Sequence, residues 1–500
     1  MAHYAILFIK HHNVNAMTPK NSTFLFYDIE TTGLNKCFDQ VLQFAAIRTD
    51  SELNEIARYE ITVTLNSDVI PSPYAVITHR IGPSEFKTGI SEYEAIQKIH
   101  ALLNTPNTIS VGYNTLGFDD EFLRFSFYKN LLPPYTHQYA NQCGRMDLYP
   151  ITVLYYLFKP AQLQWPMQND TVSFKLENLN AANHFFKGQA HNAMVDVEVT
   201  LALAKKLHQD KTMWQFVTDY FNKKTDESRL ISCETDTEIN HQKYKIGLMI
   251  NGKLGSESRY VAPVIALGNH LHYKNQTLWL RLDQTALLSC EKNKAIAESK
   301  VIRKRLGEPP IFLPLKDRYL SLLSDDRKHI LDNTVHWIHE NPDVFKAIQT
   351  HYQHEKYQEV PERDIDAALY DSAFPTNEEE KQYRAFHAAI PVEKESHIQH
   401  FSNDARKIQA MRIMGRHFQN ESSDPIKHYF EMELKKVNGE HPMPMVDFRN
   451  EPKLTRIKAL AEIDIIRNEV VLDEQQKKVL EAFQLFLMEK SVTRPEDRAT

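Results

Sequence analysis

The sequence predicts a multidomain chain: an α/β domain first, a β-rich domain next and a helical domain last. Three observations carry this. A chain of 500 residues is longer than one compact core can organise. Short apolar strand-like runs alternate with helical spacings up to Gln209, and strand runs return between Tyr260 and Leu282. From about Glu355 glycine almost disappears and helical periodicity dominates. The expected boundaries are an N-terminal tail at 1–21, domains at 22–209, 210–354 and 355–490, and a C-terminal tail at 491–500.

Composition excludes little. The net charge of −6 is compatible with a locally basic nucleic-acid groove, because an acidic metal site adds negative charge of its own. The four cysteines, Cys37, Cys143, Cys233 and Cys290, are far apart. They match no metal-ligand spacing and no disulfide framework, so reduced thiols and a cytoplasmic location are expected. Ala5 to Ile9 is too short for a signal core, and no apolar run approaches the ~18 residues of a membrane span. Met17 is an alternative start to Met1. A monomer is expected.

The first domain opens on Phe24-Leu25-Phe26-Tyr27-Asp28-Ile29-Glu30-Thr31-Thr32-Gly33. The apolar run predicts a buried strand, and a strand's period of two puts Asp28 and Glu30 on one face. Two neighbouring carboxylates repel each other, and a divalent cation with oxygen ligands relieves that. Gly33 is expected to let the backbone approach a ligand closely. Val41–Thr49 and Arg58–Leu65 complete an antiparallel meander. Ser91 is an N-cap for a helix running to Leu103, and Thr108–Tyr113 is another buried strand. Asn114 to Arg124 is a loop entering a helix. There Asp119, taken alone, is an ordinary helix-start acid. Helices follow at Leu148–Phe158 and after Phe174, and Ala190–Ala204 is a long amphipathic one. His191 lies at or before its first turn, with Asp196 five residues on and only roughly on the same side. A lone His-x4-Asp is weak evidence.

Lys223–Gln242 is polar and is taken as a linker or surface loop. Gly247, Gly252 and Gly255 are taken as turns before the strands Tyr260–Leu267 and Thr277–Leu282. Helices over Ser321–Ile348 close the β-rich part. Ile398 to Ile413, Leu454 to Ile463 and Val479 to Phe486 carry helical spacing in the last domain.

Taken in order, Asp-x-Glu on a first strand, Asp at a later helix start and His-x4-Asp on a final helix resemble the DEDD superfamily of 3′→5′ exonucleases, histidine subgroup. Gln43-Phe44-Ala45-Ala46-Ile47-Arg48-Thr49-Asp50, Gly112-Tyr113-Asn114, Phe118-Asp119-Asp120-Glu121 and Asn192-Ala193-Met194 are further similar to the bacterial exonuclease I family. So, more patchily, are Tyr260-Val261-Ala262-Pro263, His329 to Asn333, Asp404 to Lys407 and Arg416-His417-Phe418. The resemblance implies a ribonuclease H-like exonuclease domain, a Src-homology-like β-rich domain and a helical C-terminal domain. Two departures stand out. The family's Tyr-Glu-Thr-Phe-Gly is Ile-Glu-Thr-Thr-Gly here, and a phosphate-holding arginine is Lys175, which keeps the charge but loses the bidentate fork.

What the resemblance implies is metal-dependent, processive 3′→5′ degradation of single-stranded DNA to 5′-mononucleotides, in repair and recombination. Asp28, Glu30, Asp119 and Asp196 would hold two Mg²⁺ ions, with Mn²⁺ an alternative, and His191 would act as general base. Glu30, Lys175, Arg124, Tyr135, Tyr139, Lys159 and Tyr113 are candidate contacts to the strand, aromatics by stacking and cations by charge. The resemblance also implies docking of the acidic C-terminal tail of single-stranded-DNA-binding protein, on Arg303-Lys304-Arg305 or near Arg406 and Lys407. An RNA-directed exonuclease of the same superfamily is the alternative, although it does not need the residues beyond 209. A non-catalytic nucleic-acid-binding scaffold would have lost an acid or the histidine, and all five are present.

Overall fold

The computed structural model describes residues 22–188, 191–234, 236–439 and 445–489. The two expected tails lie outside the described residues. Strands β1 (Thr23–Thr31), β2 (Val41–Thr49) and β3 (Glu55–Thr62) form the antiparallel meander. β4 (Thr108–Gly112) and β5 (Gly144–Asp147) extend the other edge of β1 in parallel, giving the order β3-β2-β1-β4-β5. β3 begins and ends three residues earlier than expected, because the chain turns at Val63 to bridge Ile90.

β1 is central and buried on both faces. Leu25, Tyr27 and Ile29 join one apolar cluster, while Phe24 and Phe26 join another. By the period of two, Asp28 and Glu30 continue the Phe24 and Phe26 face. That face is covered by α6 (Ala193–His208), through Val197 and Leu201. The remaining helices of this region are α1 (Pro73–His79), α2 (Glu92–Leu103), α3 (Asp119–Lys129), α4 (Leu148–Phe158) and α5 (Leu176–Asn183). Ser91 caps α2 as expected, accepting from the Glu94 amide at 3.2 Å. A short hairpin, β6 (Met167–Gln168) and β7 (Thr171–Val172), precedes α5.

Lys223–Gln242, expected as a linker or surface loop, carries regular structure. After α7 (Lys211–Thr218) it contains α8 (Lys223–Ile231), capped by Asn222, and β8 (Asp236–Ile239). One of its charges serves the interior: Asp226 is buried and accepts from Lys304 at 2.7 Å and from the Gly307 amide at 2.9 Å, while Lys223, Lys224, Glu227 and Glu238 are exposed. β9 (Gln242–Ile250), β10 (Val261–Asn269), β11 (Gln276–Arg281), β12 (Val301–Arg305) and β13 (Ile311–Pro314) then form an antiparallel sheet, in the order β12-β11-β10-β9-β13, with β8 on β9. Gly247 lies inside β9, not in a turn. A Cβ there would come within 2.3 Å of the Phe312 ring, so the glycine admits a close crossing by β13. Short helices α9 (Thr285–Ser289), α10 (Ala295–Glu298) and α11 (Asp317–Leu320) lead to α12 (Asp325–Glu340) and α13 (Pro342–His354).

The last part is helical as expected: α14 (Asn377–Ala388), α15 (Pro391–Ile398), α16 (Asp404–His417), α17 (Asp424–Asn438), α18 (Arg456–Glu469) and α19 (Glu474–Glu489). Its apolar faces share their clusters with the first domain. Ile463, Leu480 and Phe483 pack with Val76, Ile77 and Phe86, and Phe386, Ile413 and Met414 pack with Tyr93 and Leu131. A buried ionic seam runs through the same boundary. Arg416 meets Asp68 at 2.8 Å and Asp366 at 3.5 Å, Arg412 meets Asp364 at 2.6 Å and Glu433 at 2.8 Å, and Lys453 meets Asp68 at 3.4 Å. All four cysteines are free thiols, and no helix among the described residues is long and apolar enough to cross a membrane.

Candidate active site

Asp28 and Glu30 stand at the end of β1, opposite Ala45 and Gln43 of β2. The turn that follows is built by Asp39, which accepts from the Thr32 hydroxyl at 2.7 Å and the Asn35 amide at 2.8 Å. A Cβ on Gly33 would sit 2.6 Å from an Asp39 carboxylate oxygen. The close approach expected of this glycine is therefore to Asp39, within the protein.

Asp119 is the first residue of α3 and is buried. The loop before it is held by Asp147, whose carboxylate accepts from the Asn114 amide at 2.8 Å and the Leu116 amide at 3.2 Å. Asp196 lies in the first turn of α6, capped by Asn192. His191 has a left-handed backbone, φ 62°, which folds it back so that its own amide donates to Asp196 at 3.2 Å. Ligand atoms of Glu30, His191 and Asp196 lie within 4.8 Å of one another. Sequence spacing placed His191 and Asp196 only roughly on one side, and the left-handed turn supplies what a helix alone does not.

The electrostatics bind the other two acids to this trio. Burial pushes the Asp28 carboxyl well above the usual range, and the charges of Asp119, Glu30 and Asp196 push it further. Burial raises Glu30 likewise, with Asp196 and Asp119 adding to it. Burial pushes Asp119 up to about 7, against the pull of backbone N–H groups of its own turn and of Ile29. Burial pushes Asp196 up to about 6, against His191. Among the described residues, none of these four acids has a Lys or Arg ion-pair partner. Four crowded carboxylates without a cationic side chain fit a divalent-cation site with oxygen ligands, and an adjacent imidazole is free to take a proton.

The expected strand contacts divide. Lys175 precedes α5 with its side chain 69% exposed, and its neighbour Glu177 is close enough to raise Asp196. Tyr139 is exposed. Tyr135 is half-buried, with Arg124 over its ring and Phe374 at its edge. Two others are engaged internally. Tyr113 donates to the Phe174 carbonyl at 2.5 Å, and Arg124 is buried beside Asp120 at 3.4 Å. Lys159 pairs with Asp210 at 2.6 Å. Sequence reasoning missed Asp147, whose only signal was an acid one residue before the apolar helix at Leu148.

An acidic cluster of this kind on a ribonuclease H-like mixed sheet defines a class of exonucleases. Residues 25–204 match the RNase_T exonuclease family. The chain is 31% identical to exodeoxyribonuclease I of Escherichia coli (strain K12) over 376 residues, which is 71% of this chain and 77% of that protein. The chain belongs to the exodeoxyribonuclease I family and is a nuclease. Its fold superposes on E. coli exonuclease I in complex with a dA16 oligonucleotide with a TM-score of 0.81 at 24% identity, covering 94% of this chain and all of the other. A structure described as SSB/exonuclease I in complex with an inhibitor superposes with a TM-score of 0.77 at 23% identity, over 94% of this chain and 99% of the other.

Proposed function

We propose that the protein degrades single-stranded DNA from its 3′ end, processively, releasing 5′-mononucleotides. The observation that carries this is the unpaired four-carboxylate cluster beside His191. Asp28, Glu30 and Asp196 would ligate divalent ions, with Asp119 completing the set, and hard oxygen ligands favour Mg²⁺ or Mn²⁺. Two such ions, when bound, supply charge neutralisation at the attacking and leaving oxygens of an in-line displacement. An imidazole nitrogen of His191 accepts the proton of the attacking water. Asp196 fixes that histidine through its backbone amide rather than through the ring, so the ring stays free for the proton. Exposed Lys175, next to Glu177, would hold a backbone phosphate as a point charge.

Exposed Tyr139 and half-buried Tyr135 supply stacking faces for unpaired bases, each worth about 1–3 kcal/mol. Processivity is proposed from the family resemblance, in which the two later domains close around the strand. A role in repair and recombination follows from the family. The acidic tail of single-stranded-DNA-binding protein is the proposed partner. Of the two places expected from sequence, Lys304 is buried on Asp226 and Arg406 is buried over Tyr128, while Arg303, Arg305 and Lys407 keep partly exposed side chains beside Glu355, Glu308 and Asp404.

The test is a 5′-labelled single-stranded DNA oligonucleotide incubated with Mg²⁺, with EDTA and with Asp196→Ala, beside an equal duplex and an RNA strand. Mg²⁺-dependent shortening from the 3′ end of single-stranded DNA, absent in the variant, is expected. Preference for RNA would redirect the reading to an RNA-directed exonuclease. Binding without cleavage would overturn it.

A further inference from the structure

The turn between β12 and β13 touches the catalytic sheet at a charged point. Glu308, in that turn, accepts from one nitrogen of the Arg145 guanidinium on β5, and another nitrogen of the same guanidinium donates to Asp120. Asp120 directly follows Asp119 in the first turn of α3. It is 1% exposed and also meets His137 at 3.0 Å, Arg124 at 3.4 Å and the side-chain Nε2 of Gln138 at 3.4 Å. The turn itself is fastened from within. Lys304 donates to the Glu308 carbonyl at 3.0 Å and to Asp226 at 2.7 Å, while Arg305 stands 3.9 Å from the Glu308 carboxylate.

Asp120 has Arg124, His137 and Gln138 on it and does not need Glu308 for its own charge. What Glu308 adds is orientation. A guanidinium is a rigid planar fork, and a carboxylate on each arm fixes its rotation. β5 reaches the start of α3 a second time through Asp147, which holds the Asn114 and Leu116 amides. The beginning of α3, and with it Asp119, is thus supported from β5 at two points, one of them tied to the β domain.

We propose that Glu308 is a positioning residue for Asp119. The β domain holds Arg145, Arg145 holds Asp120, and Asp120 sets the helical turn that carries Asp119 into the acidic cluster. Seating of the β domain and the geometry of the cation site are thereby linked. The proposal rests on the nuclease reading of that cluster.

The experiment uses the full chain with Glu308→Gln and Glu308→Ala. Four quantities are read: kcat and KM on the labelled single strand, the midpoint of a Mn²⁺ titration followed by the resonance of the free ion, and the thermal melt. Misplacing a catalytic group by a fraction of an ångström costs rate, so kcat is expected to fall roughly three- to tenfold in Glu308→Gln and further in Glu308→Ala. The Mn²⁺ midpoint should rise by a similar factor, with KM held within about twofold. A wild-type kcat and midpoint in both variants, or a change confined to KM, would overturn the proposal. If Glu308→Gln melts below the assay temperature, the Mn²⁺ titration is made on Arg145→Lys, which keeps the charge and loses the fork. An unchanged midpoint there overturns the proposal too. An inactive wild-type chain would sink the nuclease reading itself, whereas an active one indifferent to Glu308 sinks only the positioning role.

Discussion

Burial, with the charge of Asp147 behind it, pushes the Asp119 carboxyl up to about 7, whereas an unfolded aspartate titrates at ~3.9. Between these values the folded, metal-free protein binds more protons than the unfolded chain, so its stability falls as pH rises through that window. Asp119→Asn removes this loss. In EDTA the variant should melt several degrees above wild type at pH 8, and the two should converge near pH 4, while Mg²⁺ should raise the melting temperature of wild type alone. A variant that melts lower at pH 8 would show that the acids are not strained against one another. Asp196→Ala removes a ligand from the trio with Glu30 and His191, and is expected to lower kcat at least ~10³-fold, about 4 kcal/mol of barrier. Lys175→Arg supplies a bidentate fork at an exposed position next to Glu177, whose charge reaches Asp196. It should lower KM for single-stranded DNA roughly two- to fivefold with kcat little changed.

The end of β1 and the turn after it form one device. Asp39 is immobilised by Thr32 and Asn35, so it cannot swing away from a methyl group placed on Gly33, which would lie 2.6 Å from its carboxylate. Gly33→Ala should cost about 1–3 kcal/mol and displace the strand end that carries Glu30, lowering both the melting temperature and kcat. Equal kcat in the variant would show that the turn and the site are mechanically independent. α6 is a second device of this kind. It packs on β1 and β2 and shares the apolar cluster of Phe24 and Phe26 through Val197 and Leu201, so this packing helps bring Asp196 to Glu30.

Across the whole molecule, the C-terminal helices are held to the first domain by apolar clusters and by the ionic seam. Burial alone would raise the Asp68 carboxyl, but Arg416 and Lys453 outweigh it and hold it well below the usual carboxylate range. A carboxyl depressed by folding contributes stability above its unfolded value of ~3.9, and that contribution is lost as pH falls below it. Asp68→Asn leaves Arg416 and Lys453 short of a counter-charge and should cost about 3–5 kcal/mol at pH 7. The gap to wild type should narrow toward pH 2, as acid unfolding curves of the two proteins would show. Parallel curves would place the stabilising charge elsewhere in the seam.

Asp28 and Glu30 were legible because a strand has period two, and the order of the acids and His191 along the chain was legible as a family pattern. β1, β2, β4, β10 and β11, the capped α2 and the helical last third followed from periodicity, whereas β5, β8, β9, β12 and β13 did not. The linker or surface loop expected over 223–242 lies largely at the surface but carries a helix and a strand, and polar composition did not show that Asp226 faces a buried lysine. Tyr113 and Arg124 looked available because a sequence shows a side chain's chemistry and not its partners, Phe174 and Asp120. The sequence by itself determined which residues carry the chemistry and which elements bear them, since both depend on local spacing. Only the tertiary structure decided that His191 turns back onto Asp196, that Glu308 reaches Arg145 across two domains, and that the last helices have no separate core. Those facts depend on contacts between residues far apart in the chain, where local periodicity carries no information.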